Sequence, residues 1–219
     1  MNFHKKTLLG SLLLLSATSA FAVDTADLRV IGTIVPTACT PTFSGGGVVD
    51  YGIIPTASLS STDVTQLETR TISYTIVCDA PISIGTSWSD GRQGTANNDS
   101  LTQGRSALHT FGLGQQGAAN IGRYTLSTPT GAATGDGASV DSIERNGVGA
   151  WTLSSRGFIT NSTYDRTFSF APSGTLVPGA YTTFSGVVNV EAAISPTSTL
   201  DLTRSVVLDG LSTMTVRYL

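Results

Sequence analysis

The feature that most constrains the fold of this chain is a period of two. From residue 23 to the C-terminus, short segments alternate apolar with polar residues, and a helical period of 3.6 is almost absent. Gly, Pro, Asn, Asp and Ser separate these segments at intervals of about 8 to 12 residues. Such alternation is typical of strands that bury one face. The sequence therefore predicts an all-β sandwich.

Two segments carry the strand pattern most clearly. The first is TISYTIVC, which places one residue in two on a single face: Ile72, Tyr74, Ile76 and Cys78. The second is the Val-rich stretch from Phe184 to Ile194, which follows turn residues at Pro178 and Gly179. Both are expected to be core strands.

The middle of the chain, from about Gly85 to Gly149, is the least regular part. Gly, Asn and small polar residues dominate it, which favours long exposed loops joining short strands. The alternative is a ligand-binding face, in which Trp88 and Trp151 stack on a sugar. Two tryptophans in a sandwich are more often core or rim residues.

The N-terminus has the pattern of a secretory signal peptide. Lys5 and Lys6 precede the apolar run Leu8 to Leu15, and the small-residue stretch ATSAFA follows, so cleavage is expected after Ala22. The alternative is an uncleaved membrane anchor, but the run is about half of the roughly 20 residues that span a bilayer. We therefore expect residues 1–22 to be removed on export.

Charge excludes one class of partner. After residue 22 the chain has no lysine and has ten arginines against fifteen acids, a net formal charge of −5. Affinity for nucleic acid comes largely from clustered positive charge. Nucleic-acid binding is therefore not expected.

Cys39 and Cys78 are the only cysteines. In an oxidising compartment, and with no CxxC motif or nearby histidine for metal ligation, one disulfide is the expected outcome. The competing interpretation is a free catalytic or redox thiol.

Residue patterns that would indicate catalysis are scarce. After export His109 is the only histidine, so any histidine-based nucleophile must use it, and no GxSxG motif or histidine pair for zinc occurs. His109 is expected to be a surface loop residue. Asp136, Asp141 and Glu144 are expected in a solvated Gly-rich loop. We predict no enzymatic activity, no cofactor and no metal.

Both ends of the mature chain have the alternating pattern that predicts a strand. ADLRVIGTIVPTAC places five residues on one face: Ala26, Leu28, Val30, Gly32 and Ile34. A strand glycine usually marks close backbone approach. The C-terminal DGLSTMTVRYL also places alternate residues on one face: Leu208, Gly210, Ser212, Met214, Val216 and Tyr218. A terminal strand without a neighbour is an exposed edge. The alternative for the N-terminal stretch is an ordinary first strand of its own sheet.

Four elements together resemble the chaperone-usher pilins, the fimbrial subunits of Gram-negative bacteria. They are VxGxI before the first cysteine, VDYGIIPTASL after it, an alternating strand that ends in the second cysteine, and a penultimate tyrosine. The resemblance covers residues 24 to 78 and about 200 to 219. It implies an immunoglobulin-like sandwich that lacks its final strand and receives a donor strand from a neighbouring subunit or a chaperone.

The resemblance also assigns roles to residues. Residues 23–36 would be the donor-strand extension, with Ala26, Leu28, Val30, Gly32 and Ile34 inserted into the next subunit, and residues 37–219 would be the pilin-type domain. Cys39 and Cys78 would tie the first strand to the second. Gly210, Met214, Val216 and Tyr218 would form the strand that borders the groove and contacts the chaperone. Such pilins often carry glycine fourteen residues from the end, where this chain has Val206.

The function implied is that of a structural subunit of a surface fimbria, which is polymerised by donor-strand exchange after chaperone-assisted export and contributes to cell adhesion. Its partners would be a periplasmic pilus chaperone, an outer-membrane usher and other fimbrial subunits joined head to tail, and it would reach the cell surface through the periplasm. One alternative is a fimbrial tip or minor subunit that binds a receptor glycan. Another is a secreted carbohydrate-binding β-sandwich.

Overall fold

The computed structural model describes residues 26–34, 38–99, 105–161 and 165–219, so the predicted signal peptide lies outside the described residues. The chain divides into two units after Val35, and the second unit holds the strands, which run as follows. They are β1 (Cys39–Phe43), β2 (Thr65–Gln66), β3 (Arg70–Asp90), β4 (Thr110–Gly112), β5 (Gln115–Gln116), β6 (Ala119–Asn120), β7 (Gly122–Ser127), β8 (Thr134–Gly135), β9 (Ala138–Asn146), β10 (Thr152–Leu153), β11 (Arg166–Pro172), β12 (Ala180–Ile194) and β13 (Ser212–Tyr218).

Helical structure in the described ranges is limited to four 3-10 turns. These are Ser44–Gly47, Thr56–Ser58, Ala107–His109 and Thr197–Thr199. None of the helices in these ranges is long and apolar enough to cross a membrane. The all-β class predicted from the sequence is confirmed.

The strands form two antiparallel layers that share the long strand β3. Its first half pairs with β1 on one side and with β12 on the other, and β12 continues the layer to β7 and β4. Its second half pairs with β13 and β11, and β11 continues to β9 and β10. Because β3 passes from one layer to the other, it pairs with β1 at the edge of the first layer and with β13 at the edge of the second.

The core lies between the layers and is built by the alternation that the sequence shows. Ile72, Tyr74, Ile76 and Cys78 are all buried on β3, as expected. On β12 the inward residues include Phe184, Val188 and Val190, which are also buried. The predicted core strands are thus confirmed.

The middle of the chain is more ordered than its composition indicates, and the expectation of long exposed loops is wrong for much of it. Strand β7 is buried along almost its whole length, and Tyr124 stacks on Phe111 at 5.3 Å between ring centroids. A Cβ on Gly122 would lie 2.2 Å from the carbonyl oxygen of Ala193. Glycine here permits close approach of two core strands rather than a flexible loop.

A hairpin signal within this region explains part of the error. Asp136 and Gly137 form a two-residue turn between β8 and β9, and both have positive φ, 48° and 82°. The Asp-Gly dipeptide is favoured in such turns because both positions need a left-handed backbone. Recognising it would have placed Asp141 and Glu144 in the following strand.

The disulfide predicted from the sequence is present. Cys39, the first residue of β1, bonds to Cys78 on β3, with Cα atoms 4.0 Å apart in a directly paired register. The two bonded cysteines are 39 positions apart in the sequence. The disulfide therefore fixes the edge strand β1 to the central strand.

We expect the double substitution Cys39→Ser, Cys78→Ser to lower the free energy of unfolding by about 4 kcal/mol, because the unfolded chain regains the entropy of a loop of this length. Urea unfolding followed by circular dichroism measures the change. A loss below about 1 kcal/mol would show that the loop constraint is not a main source of stability.

Candidate functional site

An open groove in the sandwich reaches the hydrophobic core. Its volume is about 1220 Å³. The floor consists of core side chains from β3, β7 and β12 and from the chain around β4, among them Ile72, Trp88, Leu113, Tyr124, Val188 and Val190. These side chains are buried, so the floor of the groove is the surface of the core itself.

Two segments without regular strand structure border this groove. We call residues 48–54 the N-terminal wall, since they follow β1, and residues 202–211 the C-terminal wall, since they lead into β13. Gly45, Gly46 and Gly47, all with positive φ, make the turn that carries the chain from β1 into the N-terminal wall. Consecutive left-handed residues favour glycine because it has no Cβ.

The walls present unpaired main chain. Within the described residues, positions 49–54 form no main-chain hydrogen bond to another strand, and the same holds for positions 204–208. Half-buried Val49 and Tyr51 on one wall, and Val206 and Leu208 on the other, pack against the core. Each wall thus has an open strand edge above an apolar floor.

The groove carries little charge at its floor. Burial raises the pKa of the Tyr124 phenol above its usual range, so this floor residue stays neutral. Burial also raises the pKa of Tyr51, whose hydroxyl donates a hydrogen bond to the Val190 carbonyl oxygen at 3.0 Å. An apolar, uncharged floor suits aliphatic side chains.

Residues that the sequence assigned to the groove edge lie on or just before β13. Met214 is buried opposite Trp88, and Val216 is half-buried. Gly210 lines the groove, where a Cβ would lie 2.9 Å from the Tyr124 ring. Glycine at this position lets the C-terminal wall lie directly on that ring.

Tyr218 has a different contact. Its hydroxyl accepts a hydrogen bond from the main-chain N–H of Cys39 at 2.9 Å. Tyr218 pairs with Ile84 in the β13–β3 register. The penultimate tyrosine therefore ties the end of β13 to the start of β1.

The N-terminal segment, residues 26–34, has no regular secondary structure, and its apolar side chains are exposed. Leu28 and Val30 are 90% exposed and Ile34 is 98% exposed. No heavy atom lies within 4 Å of the position that a Cβ on Gly32 would occupy. The alternating face predicted for this segment is thus unburied in the chain.

Comparison with known proteins places the chain in a family. A family model described as "Protein of unknown function (DUF1120)" matches residues 28–143. Protein GltF of Escherichia coli (strain K12) is 32% identical over 253 aligned residues, which cover 99% of this chain and 100% of that protein. The chain belongs to the DUF1120 family.

A second relative supports the same assignment. Uncharacterized protein YhcF of Escherichia coli (strain K12) is 28% identical over 228 aligned residues, covering 93% of this chain and 94% of that protein. The DUF1120 match begins at Leu28. The family pattern therefore includes the N-terminal segment as well as the first part of the sandwich.

Trp88 is not placed to stack on a sugar. It is only 6% exposed and packs edge-on against Phe43, so it is a core residue beneath the groove. The guanidinium of Arg145 lies over the Trp151 ring at 4.4 Å, which covers one face of that ring. The two rings therefore do not form a joint stacking surface.

The three acidic residues that the sequence analysis singled out lie in a turn or make contacts between strands and turns of the sandwich. Asp136 lies in a turn as expected, whereas Asp141 and Glu144 lie in β9 and not in a loop. Asp141 accepts a hydrogen bond from the Gly174 N–H at 2.7 Å, and Glu144 pairs with Arg166 at 3.1 Å. Within the described ranges, no group of three or more His, Cys, Asp or Glu residues is placed to hold a metal.

His109 is half-buried at the end of a 3-10 turn rather than on an exposed loop. Its Nδ1 accepts a hydrogen bond from the Ser106 N–H at 3.2 Å, and its ring packs at a tilt of 56° against Phe158. Burial lowers the pKa of His109, and the positive charges of Arg166 and Arg105 lower it further. The imidazole is therefore held neutral in a structural contact.

Sequence reasoning missed the N-terminal wall and the ion pair that fixes the C-terminal wall. Tyr51 belongs to the quoted segment VDYGIIPTASL, but the pattern gave it no role. Arg92 lies in GRQG and Asp209 precedes Gly210, 117 positions away. No local pattern signals a contact of that separation.

We expect stability to fall between about pH 7.5 and about pH 5, because the unfolded chain takes up a proton on His109 before the folded chain does. Because the pKa of His109 is lowered in the folded state, the free energy of unfolding is greatest above the ordinary histidine pKa. It decreases as the pH falls through the pKa of His109 in the folded protein. His109→Gln should flatten this dependence, and urea unfolding at the two pH values measures it. An unchanged pH dependence in the variant would contradict the assignment.

Proposed function

We propose that this chain is a structural subunit of a surface fimbria, polymerised by insertion of the N-terminal segment of one subunit into the groove of the next. One observation carries the proposal. A single chain holds an apolar groove bordered by two segments with unpaired main chain, and also an alternating segment whose apolar face is exposed.

The groove has the chemistry of a strand acceptor. A strand added at an open edge gains main-chain hydrogen bonds, and pockets for alternate side chains give specificity. Positions 49–54 and 204–208 offer such edges on both sides of one apolar floor. An inserted strand can therefore pair on both sides while burying one of its faces.

The lengths agree. The nine residues 26–34 span about 30 Å when extended, at roughly 3.3 Å per residue. The N-terminal wall has seven residues and the C-terminal wall has ten. A strand of nine residues is thus long enough to pair along both walls.

The energetics favour insertion. Leu28, Val30 and Ile34 are almost fully exposed in the chain. Burying each in an apolar groove contributes about 1.5 to 3 kcal/mol.

Geometry makes the product a filament. The donor segment and the acceptor groove are different surfaces, so each contact between copies is heterologous and leaves one free groove and one free segment. Only residues 35–38 separate the segment from β1. Head-to-tail growth then continues for as long as subunits are supplied.

Export and assembly follow from the same proposal. An open apolar groove needs cover before polymerisation, which a periplasmic chaperone would supply, and an outer-membrane usher would deliver subunits to the cell surface. The sequence features behind this step are the predicted signal peptide and the pilin resemblance. The disulfide is consistent with an oxidising compartment. No catalytic role is proposed.

The sharpest test compares two substitutions on opposite faces of the N-terminal segment. Gly32→Leu adds a side chain to the face that enters the groove, whereas Thr33→Leu adds a leucine to the opposite face. No heavy atom lies within 4 Å of a Cβ on Gly32, and Thr33 is exposed, so neither change is expected to disturb the sandwich. We expect Gly32→Leu to block fibres, because overpacking a well-packed interior costs about 1 to 3 kcal/mol.

Fibres are counted by negative-stain electron microscopy on cells that express the matched chaperone and usher. Co-purification with the chaperone should be unchanged in both variants. Normal fibres from Gly32→Leu, or loss of fibres only in Thr33→Leu, would refute the strand assignment.

A further inference from the structure

An ion pair holds the C-terminal wall at its downstream end. The Arg92 guanidinium donates through Nε to Asp209 Oδ2 at 2.9 Å and through Nη2 to Oδ1 at 2.7 Å, and Nε also reaches the Asp209 carbonyl oxygen at 3.0 Å. The Asp209 N–H donates to the Leu113 carbonyl oxygen at 3.0 Å. Asp209 is thus bonded through both its side chain and its main chain.

The turn that presents Arg92 is itself fixed. The Arg92 N–H donates to Asp90 Oδ1 at 2.8 Å, and Asp90 Oδ2 accepts from the Gly112 N–H at 2.9 Å. The Arg92 carbonyl oxygen accepts from both the N–H and the hydroxyl of Thr95. The guanidinium therefore projects from a rigid turn after β3.

A second attachment holds the other end of the same stretch. The Gln116 side chain donates to the Asp201 carbonyl oxygen at 2.9 Å and accepts from the Asp201 N–H at 2.8 Å. Gln116 lies in the β5–β6 hairpin. Residues 201 and 209 are thus each bonded to the body of the sandwich.

Between these attachments the wall has no main-chain support. Positions 204–208 form no hydrogen bond through the main chain within the described residues, and the half-buried Val206 and Leu208 line the groove. An apolar groove favours inward movement of such a segment, because that buries surface. The attachments oppose this movement.

We propose that Arg92 is a positioning residue, which through Asp209 holds the C-terminal wall in the conformation that accepts a strand. The inference rests on the proposed function, because it names what prepares the groove for its donor. If the wall occupied the accepting position only part of the time, apparent affinity would fall in proportion to that fraction. A guanidinium suits this role, since its planar fork bonds both carboxylate oxygens at once.

The test uses the full chain and a synthetic, fluorescently labelled peptide of residues 24–36, with association followed by anisotropy. Asp209→Ala removes both acceptor oxygens, and we expect association about fivefold slower, near the upper limit for an exposed pair with good geometry. Arg92→Lys keeps the charge but loses the fork, and should also slow association. Asp209→Glu should restore the rate to within about twofold.

The matched control is Asp165→Ala. Asp165 pairs with Arg217 at 3.0 Å in an exposed ion pair, and neither residue lines the groove, so the peptide should associate at the unsubstituted rate. Circular dichroism verifies that each variant is folded. Unchanged association in folded Asp209→Ala and Arg92→Lys, or equal slowing by Asp165→Ala, would overturn the positioning role.

Failure of the proposed function gives a different result. In that case the unsubstituted chain would not bind the peptide, or it would bind a peptide carrying Gly32→Leu equally well. Specific binding by the unsubstituted chain together with unaffected variants would refute only the role of Arg92. The two outcomes are therefore distinguishable in one set of measurements.

Discussion

The structure depends on a hydrophobic core that remains open along one side. A groove on this side reaches the core side chains, and the two segments that border the groove have unpaired main chain. Apolar surface in contact with water costs about 25 cal/mol per Å², and an open strand edge invites pairing with another chain. We propose that one event, the addition of a strand, relieves both costs.

Other features follow from this constraint. The disulfide and the Tyr218 hydroxyl both act at Cys39, so β1, which leads into one wall, is bonded to β3 and to β13. The Arg92–Asp209 pair fixes the opposite wall. The polar bonds of the sandwich thus support the borders of the groove, and the floor is left to uncharged side chains. We propose that the exposed N-terminal segment of a neighbouring copy is the complement of this arrangement.

The fold class was predictable from the sequence because burial of one face imposes a period of two. This period identified the buried residues Ile72, Tyr74 and Ile76 without ambiguity. It failed in the middle of the chain, where Gly122 sits in a buried strand because two backbones approach closely, and an abundance of glycine was interpreted as loop. Strand alternation is carried by side chains, and a glycine removes one from the pattern.

The candidate site was predictable only in part. The strand of Met214 and Val216 was visible from its alternation, and the disulfide from its being the only cysteine pair. The N-terminal wall was not recognised, because an unpaired segment that contains Gly52 has no strong period. The Arg92–Asp209 pair joins residues 117 positions apart, and tertiary contacts between charged residues leave no local trace.

Hydrogen exchange at the two walls tests the account most directly. Amides at positions 49–54 and 204–208 should exchange rapidly in the isolated chain, since they have no main-chain partner there. In assembled fibres the account predicts strong protection at both walls, together with new protection at residues 26–34. Fibres in which both walls still exchange as in the isolated chain would contradict assembly through strand insertion.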